Sequence, residues 1–132
     1  IMAGKIIADT LEHSTAGSIA TDYVVEGSAK GWLNWNTVTS HSTRDSLNVS
    51  SLTDGGTGIT TITFTSSMTN SNYQSMFFSN SNSGTNTGSF ANGFAGSNGI
   101  SRTSSSCIMG SYATSAYDDA SHNDWSMLGD LA

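Results

Sequence analysis

Proline is absent from the 132 residues, cysteine occurs once, and only four residues are Lys or Arg. Each shortage removes a class of protein. With one thiol, Cys107, the chain forms no internal disulfide and builds no cysteine-based metal site by itself. Packing and backbone hydrogen bonds must therefore hold it, with oligomerisation the expected extra support if it works outside a cell. Against ten acids, the four bases leave a formal charge of -6. That balance offers no basic footprint for phosphates, so nucleic acid is not an expected partner, and it gives little attraction to an anionic bilayer. No apolar run approaches the roughly 20 residues of a membrane span, so no membrane insertion is expected. Charged residues make up 11% of the chain, too few for a long solvated helix or a highly charged disordered tail.

What is abundant is small, uncharged and able to hydrogen bond. Ser (25), Thr (17), Gly (14) and Asn (11) supply half of the chain, a balance that points to β structure with elaborate loops. The length fits one domain, or one domain with a short extension. Residues 1–29 hold two short apolar pieces, Lys5-Ile6-Ile7-Ala8 and Tyr23-Val24-Val25, on either side of Ser14-Thr15-Ala16-Gly17-Ser18. They read as brief strands or an extended arm that packs on something else, an identical neighbour being the simplest candidate. The start Ile1-Met2-Ala3-Gly4-Lys5 has no basic leader and long apolar region, so no secretion signal is expected there, and the residue before Met2 fits a fragment.

From Lys30 onward the period-2 signal of half-buried strands is regular. Gly31, Leu33 and Trp35 alternate with Trp32, Asn34 and Asn36, and Leu47 and Val49 alternate with Ser46, Asn48 and Ser50. Asp54-Gly55-Gly56-Thr57-Gly58 reads as a hairpin turn leading into Ile59–Thr65, with Ile62 and Phe64 on one side. Tyr73–Phe78 is a further strand after the turn cluster Asn70-Ser71-Asn72, while Cys107-Ile108-Met109 and Trp125-Ser126-Met127-Leu128 read as closing strands. Residues 79–106, with Asn82, Asn86, Phe90 and Phe94, and the excursion holding Tyr112 and Tyr117, read as ordered loops. No repeat of fixed period is present, which excludes a solenoid or propeller.

The ordered pieces Lys30-Gly31-Trp32-Leu33-Asn34-Trp35, Asn48-Val49-Ser50-Ser51, Asp54-Gly55-Gly56-Thr57-Gly58, Thr61-Ile62-Thr63-Phe64-Thr65 and Asn70-Ser71-Asn72-Tyr73 together resemble a domain common in bacteriophage tail fibre proteins. The resemblance covers residues 30 to about 78. It departs from the family pattern at Trp35, where Phe is usual, and at Ile59, where an acid often follows the turn glycine. The ending Leu128-Gly129-Asp130-Leu131-Ala132 looks like the last strand of such chains and is expected to be the natural C-terminus. The resemblance implies a fibre or appendage tip that is a homotrimer, resides on the extracellular virion, contacts other fibre or tail proteins, and attaches to the host surface.

Individual residues sort against that background. Trp32, Trp35, Leu47, Val49, Ile62 and Phe64 are expected in the core or at subunit contacts, since aromatic and branched side chains on strands bury the most area. Trp32 beside Asn34 also has the chemistry of a sugar-stacking platform. Phe90, Phe94, Tyr112, Tyr117, Asn82 and Asn86 are the candidate receptor-binding residues, because rigid aromatics among Ser, Gly and Asn are what adaptable binding loops use. Lys30, Arg44 and Asp45 are expected to pair locally. His13, His41 and His122 lack ligand spacing, and the acidic cluster Asp118, Asp119, Asn123, Asp124 lacks the glycine placement of a calcium loop, so no metal or cofactor is expected. No G-x-S-x-G is present, and the two Glu and eight Asp fall mostly in turns, so no enzyme is expected either.

The expectation is an all-β domain, an antiparallel sandwich or jelly-roll-like unit over residues 30–132 with variable loops at about 79–124. The 1–29 arm and one strand face would build the homotrimer. It would attach a virion to a host glycan or outer-membrane protein through residues 79–124 and 36–43. The alternatives are a purely structural fibre or decoration module, or a carbohydrate-binding domain of cellular origin.

Overall fold

The computed structural model describes residues 7–81, 101–113 and 116–132, and the chain is mostly antiparallel β structure. The arm holds β1 (Thr10–His13), β2 (Gly17–Ala20) and α1 (Thr21–Gly27). The strands β3 (Ala29–Asn36), β4 (Ser42–Leu47), β5 (Val49–Asp54), β6 (Ile59–Phe64), β7 (Gln74–Ser81), β8 (Ser106–Gly110) and β11 (Ala120–Leu128) follow, with two-residue strands β9 (Tyr112–Ala113) and β10 (Ala116–Tyr117) before the last. They form a four-stranded sheet in the order β4-β3-β11-β7 and a three-stranded sheet in the order β5-β6-β8.

The inner faces of these sheets share one core, and the alternation in the sequence decides what enters it. Leu33 and Trp35 of β3, Phe77 of β7, and Trp125 and Met127 of β11 meet Ile62 and Phe64 of β6 and Cys107 and Met109 of β8. Phe64 stacks on Trp125 with ring centroids 5.6 Å apart and meets the edge of Tyr73 at 5.7 Å, while Trp35 stacks on Phe77 at 5.5 Å. Pairs of this kind contribute about 0.5–1.5 kcal/mol each beyond the area they bury.

Four expectations change. Leu47 and Val49 do not belong to one strand: Asn48 takes a φ of 58° and turns the chain from the four-stranded sheet into the three-stranded one. Leu47 therefore ends on an outer surface, 49% exposed, while Val49 packs against the core. Tyr23-Val24-Val25 is helical rather than extended. Its β-branched pair favours a strand locally, but Ser28 Oγ and Lys30 Nζ bond the Val25 carbonyl, and Thr21 N–H and Oγ1 hold the helix start to the carbonyls of Asp9 and Ala8. The arm's strands are not the apolar pieces: β1 and β2 flank the turn directly, in the register Leu11 to Ile19, and His13 Nδ1 accepts from Ala16 N–H at 3.1 Å. Finally, β9, β10 and the start of β11 form strands within the excursion between Met109 and Trp125 that reads as a loop, while β8 falls on the expected strand at Cys107-Ile108-Met109.

Candidate functional site

Strand β11 lies between β3 and β7, and two of its outward positions, Asp124 and Ser126, are short and polar. The registers set Ser126 between Trp32 and Met76, and Asp124 between Asn34 and Phe78, with Leu47 beyond Trp32 and Asp45 beyond Asn34 on β4. Large side chains on β3 and β7 thus rise on both sides of a low central strand. The result is a trough of about 260 Å3, lined on its open side by Trp32, Asn34, Met76, Phe78, Asp124 and Ser126. Trp32 is 36% exposed, Met76 40% and Phe78 57%. The rim strands are two interstrand spacings apart, about 10 Å.

The polar groups in the trough are tied together. Arg44 lies at the irregularity in the β3–β4 ladder, donates through Nη2 to the Ser121 carbonyl at 2.6 Å, and directs Nη1 to Asn34 Oδ1 at 3.3 Å. With its oxygen so occupied, Asn34 donates from Nδ2 to Asp124 Oδ1 at 2.6 Å. The guanidinium thus fixes an amide, and the amide fixes a carboxylate.

The arm is the second feature. No residue from 7 to 28 is buried, and Ile7, Leu11, Ile19, Tyr23, Val24 and Val25 are all exposed. A two-stranded hairpin and a seven-residue helix are each marginal in water on their own, so this segment needs another surface.

Of the residues proposed from sequence, Trp35, Ile62 and Phe64 are buried, and Val49 is partly buried against them. Trp32 and Leu47 stand on the outer face, outside this core. Asn82, Asn86, Phe90 and Phe94 lie outside the described residues. Tyr112 and Tyr117 are backbone partners in the β9–β10 register, and the Tyr117 ring covers Gly110, where a Cβ would come within 2.7 Å of it. Among the described residues Lys30 and Arg44 do not pair with acids: Lys30 bonds the Val25 and Ser28 carbonyls, and Arg44 bonds Asn34 and two carbonyls. Asp45 accepts from the next backbone N–H, that of Ser46.

The acidic cluster is dispersed. Asp119 Oδ1 accepts from Gly58 N–H at 2.8 Å, Asn123 is buried with Nδ2 on the Ala120 carbonyl, and Asp124 is in the trough. Among the described residues no three His, Cys, Asp or Glu side chains gather as metal ligands, and no helix is long and apolar enough to cross a membrane. His41 Nε2 bonds the Ile59 carbonyl at 3.1 Å, and its Nδ1 lies 3.6 Å from Asp54 Oδ2.

Sequence reasoning missed Met76 and Ser126 as trough residues. The signal was present: Met76 and Phe78 fall on the opposite face from Phe77, and Asp124 and Ser126 on the opposite face from Trp125 and Met127. The doublet Phe77-Phe78 concealed the alternation. No family model, curated protein or solved structure matches the chain.

Proposed function

We propose that the chain is the tip domain of a bacteriophage tail fibre or related appendage, which attaches the virion to its host by non-covalent binding. The observation that carries this reading is the outer face of the four-stranded sheet, where exposed Trp32, Met76 and Phe78 surround the Asn34–Asp124 pair. Such a surface suits recognition, since rigid amphipathic rings next to directed polar groups give contact area and orientation together. The unburied arm supports a homotrimer: three copies give each exposed hairpin and helix an identical neighbour to pack on. Three chains per tip multiply weak contacts into avid attachment. A jelly-roll-like winding of the sandwich and a virion location belong to the same reading.

The test uses the full chain. Light scattering should give three times the chain mass, and removal of residues 7–28 should give a folded monomer. Labelled protein should adhere to a subset of a bacterial strain panel. A full-length monomer overturns the trimer, and adherence to no strain overturns attachment. The second reading, a structural fibre or decoration module, is favoured by the same arm, which would serve equally to dock on a shaft. It predicts assembly without adherence.

A further inference from the structure

We infer that the trough along β11 is a sugar-binding subsite that takes a neutral hexopyranose, its apolar ring face on the Trp32 indole and its hydroxyls on Asp124 and Asn34. This deepens the attachment reading and rests on it for its biological role, though the site itself stands on separate observations.

Shape comes first. The two rims, Trp32 on β3 and Met76 and Phe78 on β7, are separated by the short side chains of Asp124 and Ser126. A sugar ring presents C–H groups on its faces and hydroxyls around its edge, so it needs an exposed aromatic plane and, beside it, directed acceptors and donors. Here both occur within one register step: Trp32 and Asn34 are alternate residues of β3, and their partners Ser126 and Asp124 are alternate residues of β11.

Preorganisation comes second. A carboxylate accepts through two oxygens and an amide donates through two hydrogens. Asp124 uses Oδ1 for Asn34, and Asn34 uses one N–H for Asp124, so each retains capacity toward the trough. Arg44 holds this pair in place, and a ligand need not order it on arrival.

Charge decides the ligand. Asp124 and Asp45 face this surface on a chain of net charge -6, which disfavours an anionic ligand such as a sialic acid. It also disfavours a second copy of the chain. Covering Asp124 with protein strips water from a carboxylate, a loss that needs a cation or several donors to offset it. The described bases are engaged within their own chain: Lys30 on carbonyls of the arm, Arg44 on Asn34 and Ser121, Arg102 on the Tyr73 carbonyl and over its ring. Hydroxyls, in contrast, supply uncharged donors to the carboxylate and leave the trough partly wet.

The experiment titrates the full-length protein, followed by its indole and backbone amide NMR resonances, with methyl glucopyranoside, methyl galactopyranoside and methyl mannopyranoside, and with N-acetylneuraminic acid as the anionic comparison. At least one neutral glycoside should saturate with a dissociation constant on the order of millimolar, typical of a single shallow subsite, and shift the Trp32 indole but not those of buried Trp35 and Trp125. Trp32→Ala and Asp124→Ala should each weaken it about tenfold, Trp32→Phe should restore part of the loss, and both alanine variants should keep the parent's fold, read as unchanged amide shifts away from the trough, because neither side chain belongs to the core cluster. The inference is overturned if no neutral glycoside moves Trp32, if the acid sugar binds as well, if the alanine variants bind as the parent, or if Trp32 shifts with protein concentration alone. Strain adherence unchanged in Trp32→Ala overturns this site and leaves attachment standing. Sugar-dependent shifts without adherence to any strain leave the site standing and remove the attachment reading.

Discussion

Trp35 Nε1–H donates to Thr60 Oγ1 at 3.1 Å, from one sheet to the other, with both residues 1% exposed. An indole donor at the centre of a sandwich has no water to fall back on, and the threonine on β6 is the acceptor that makes a tryptophan tolerable there. Thr60→Val keeps the volume and removes the acceptor, so the buried N–H is left unmade at a cost of about 1–3 kcal/mol. In a Trp35→Phe background the same change should cost about 1 kcal/mol less, since the donor is already gone. Urea unfolding of the four proteins measures the coupling, and strictly additive losses would remove the bond from the account.

The thiol of Cys107 should be inert in the folded protein. It is fully buried, and desolvation pushes it up to about 12, with a hydrogen bond to Tyr73 and the Arg102 charge acting the other way. Tyr73 is also raised, first by burial and then by Cys107. The consequence for stability has a definite sign. In the unfolded chain both groups lose their protons near their ordinary values, while the folded chain retains them. The folded state then binds more protons, and stability falls as pH rises. Melting temperature should hold level up to about pH 9 and decline above it. A thiol reagent at pH 8 should label Cys107 only on unfolding. Rapid labelling of the native protein would contradict this burial.

Gly58 is the point where the β5–β6 hairpin meets the stretch leading to β11. Its φ is +67°, its N–H bonds Asp119 Oδ1, its carbonyl accepts from Ser111 N–H at 2.7 Å, and an added Cβ would come within 2.7 Å of the Asp118 and Ser111 backbone. Gly58→Ala combines an unfavourable φ with a backbone clash, and we expect a loss of about 2–4 kcal/mol. Gly56, at φ +109° with open space around it, should cost less because only the conformational part applies. Equal losses at the two positions would show that contact with Ser111 and Asp118 contributes nothing.

How much of this could be read beforehand follows from how local each cause is. The alternation of Gly31, Leu33 and Trp35, the Asp54–Gly58 turn, and the strands around Ile62, Cys107 and Trp125 are properties of neighbouring residues, and they were legible. The helix at Tyr23 was not, because its caps come from Ser28 and Lys30 and its start is held by Ala8 and Asp9, against the propensity of Val24 and Val25. The trough was half legible. Trp32 and Asn34 stood out, but their neighbours Asp124, Met76 and Phe78 are set opposite them by a sheet order in which the last strand enters between β3 and β7. Nothing in the local pattern of β3 dictates that insertion.

Asn48 is the residue on which the crossing from one sheet to the other depends, and it works in two separable ways. Its φ of 58° lies in the left-handed region, which asparagine enters more readily than other residues with a Cβ. Its side chain then closes the corner: Nδ2 donates to the Lys30 carbonyl at 3.0 Å and the Ser66 carbonyl at 3.1 Å, and Oδ1 accepts from Ser66 N–H at 2.7 Å. Asn48→Gly keeps the backbone at low cost and loses three bonds. Asn48→Ala loses the same bonds and adds the strain of a left-handed alanine, about 1 kcal/mol more. Asn48→Asp keeps the acceptor but sets a carboxylate against two carbonyls, and we expect it to be the least stable of the three at neutral pH and to recover in part as the acid is protonated. Thermal unfolding at pH 7 should therefore rank parent, Gly, Ala, Asp. If Ala matches Gly, the left-handed backbone is not a constraint at this corner. If Gly matches the parent, the three side-chain bonds do not hold it.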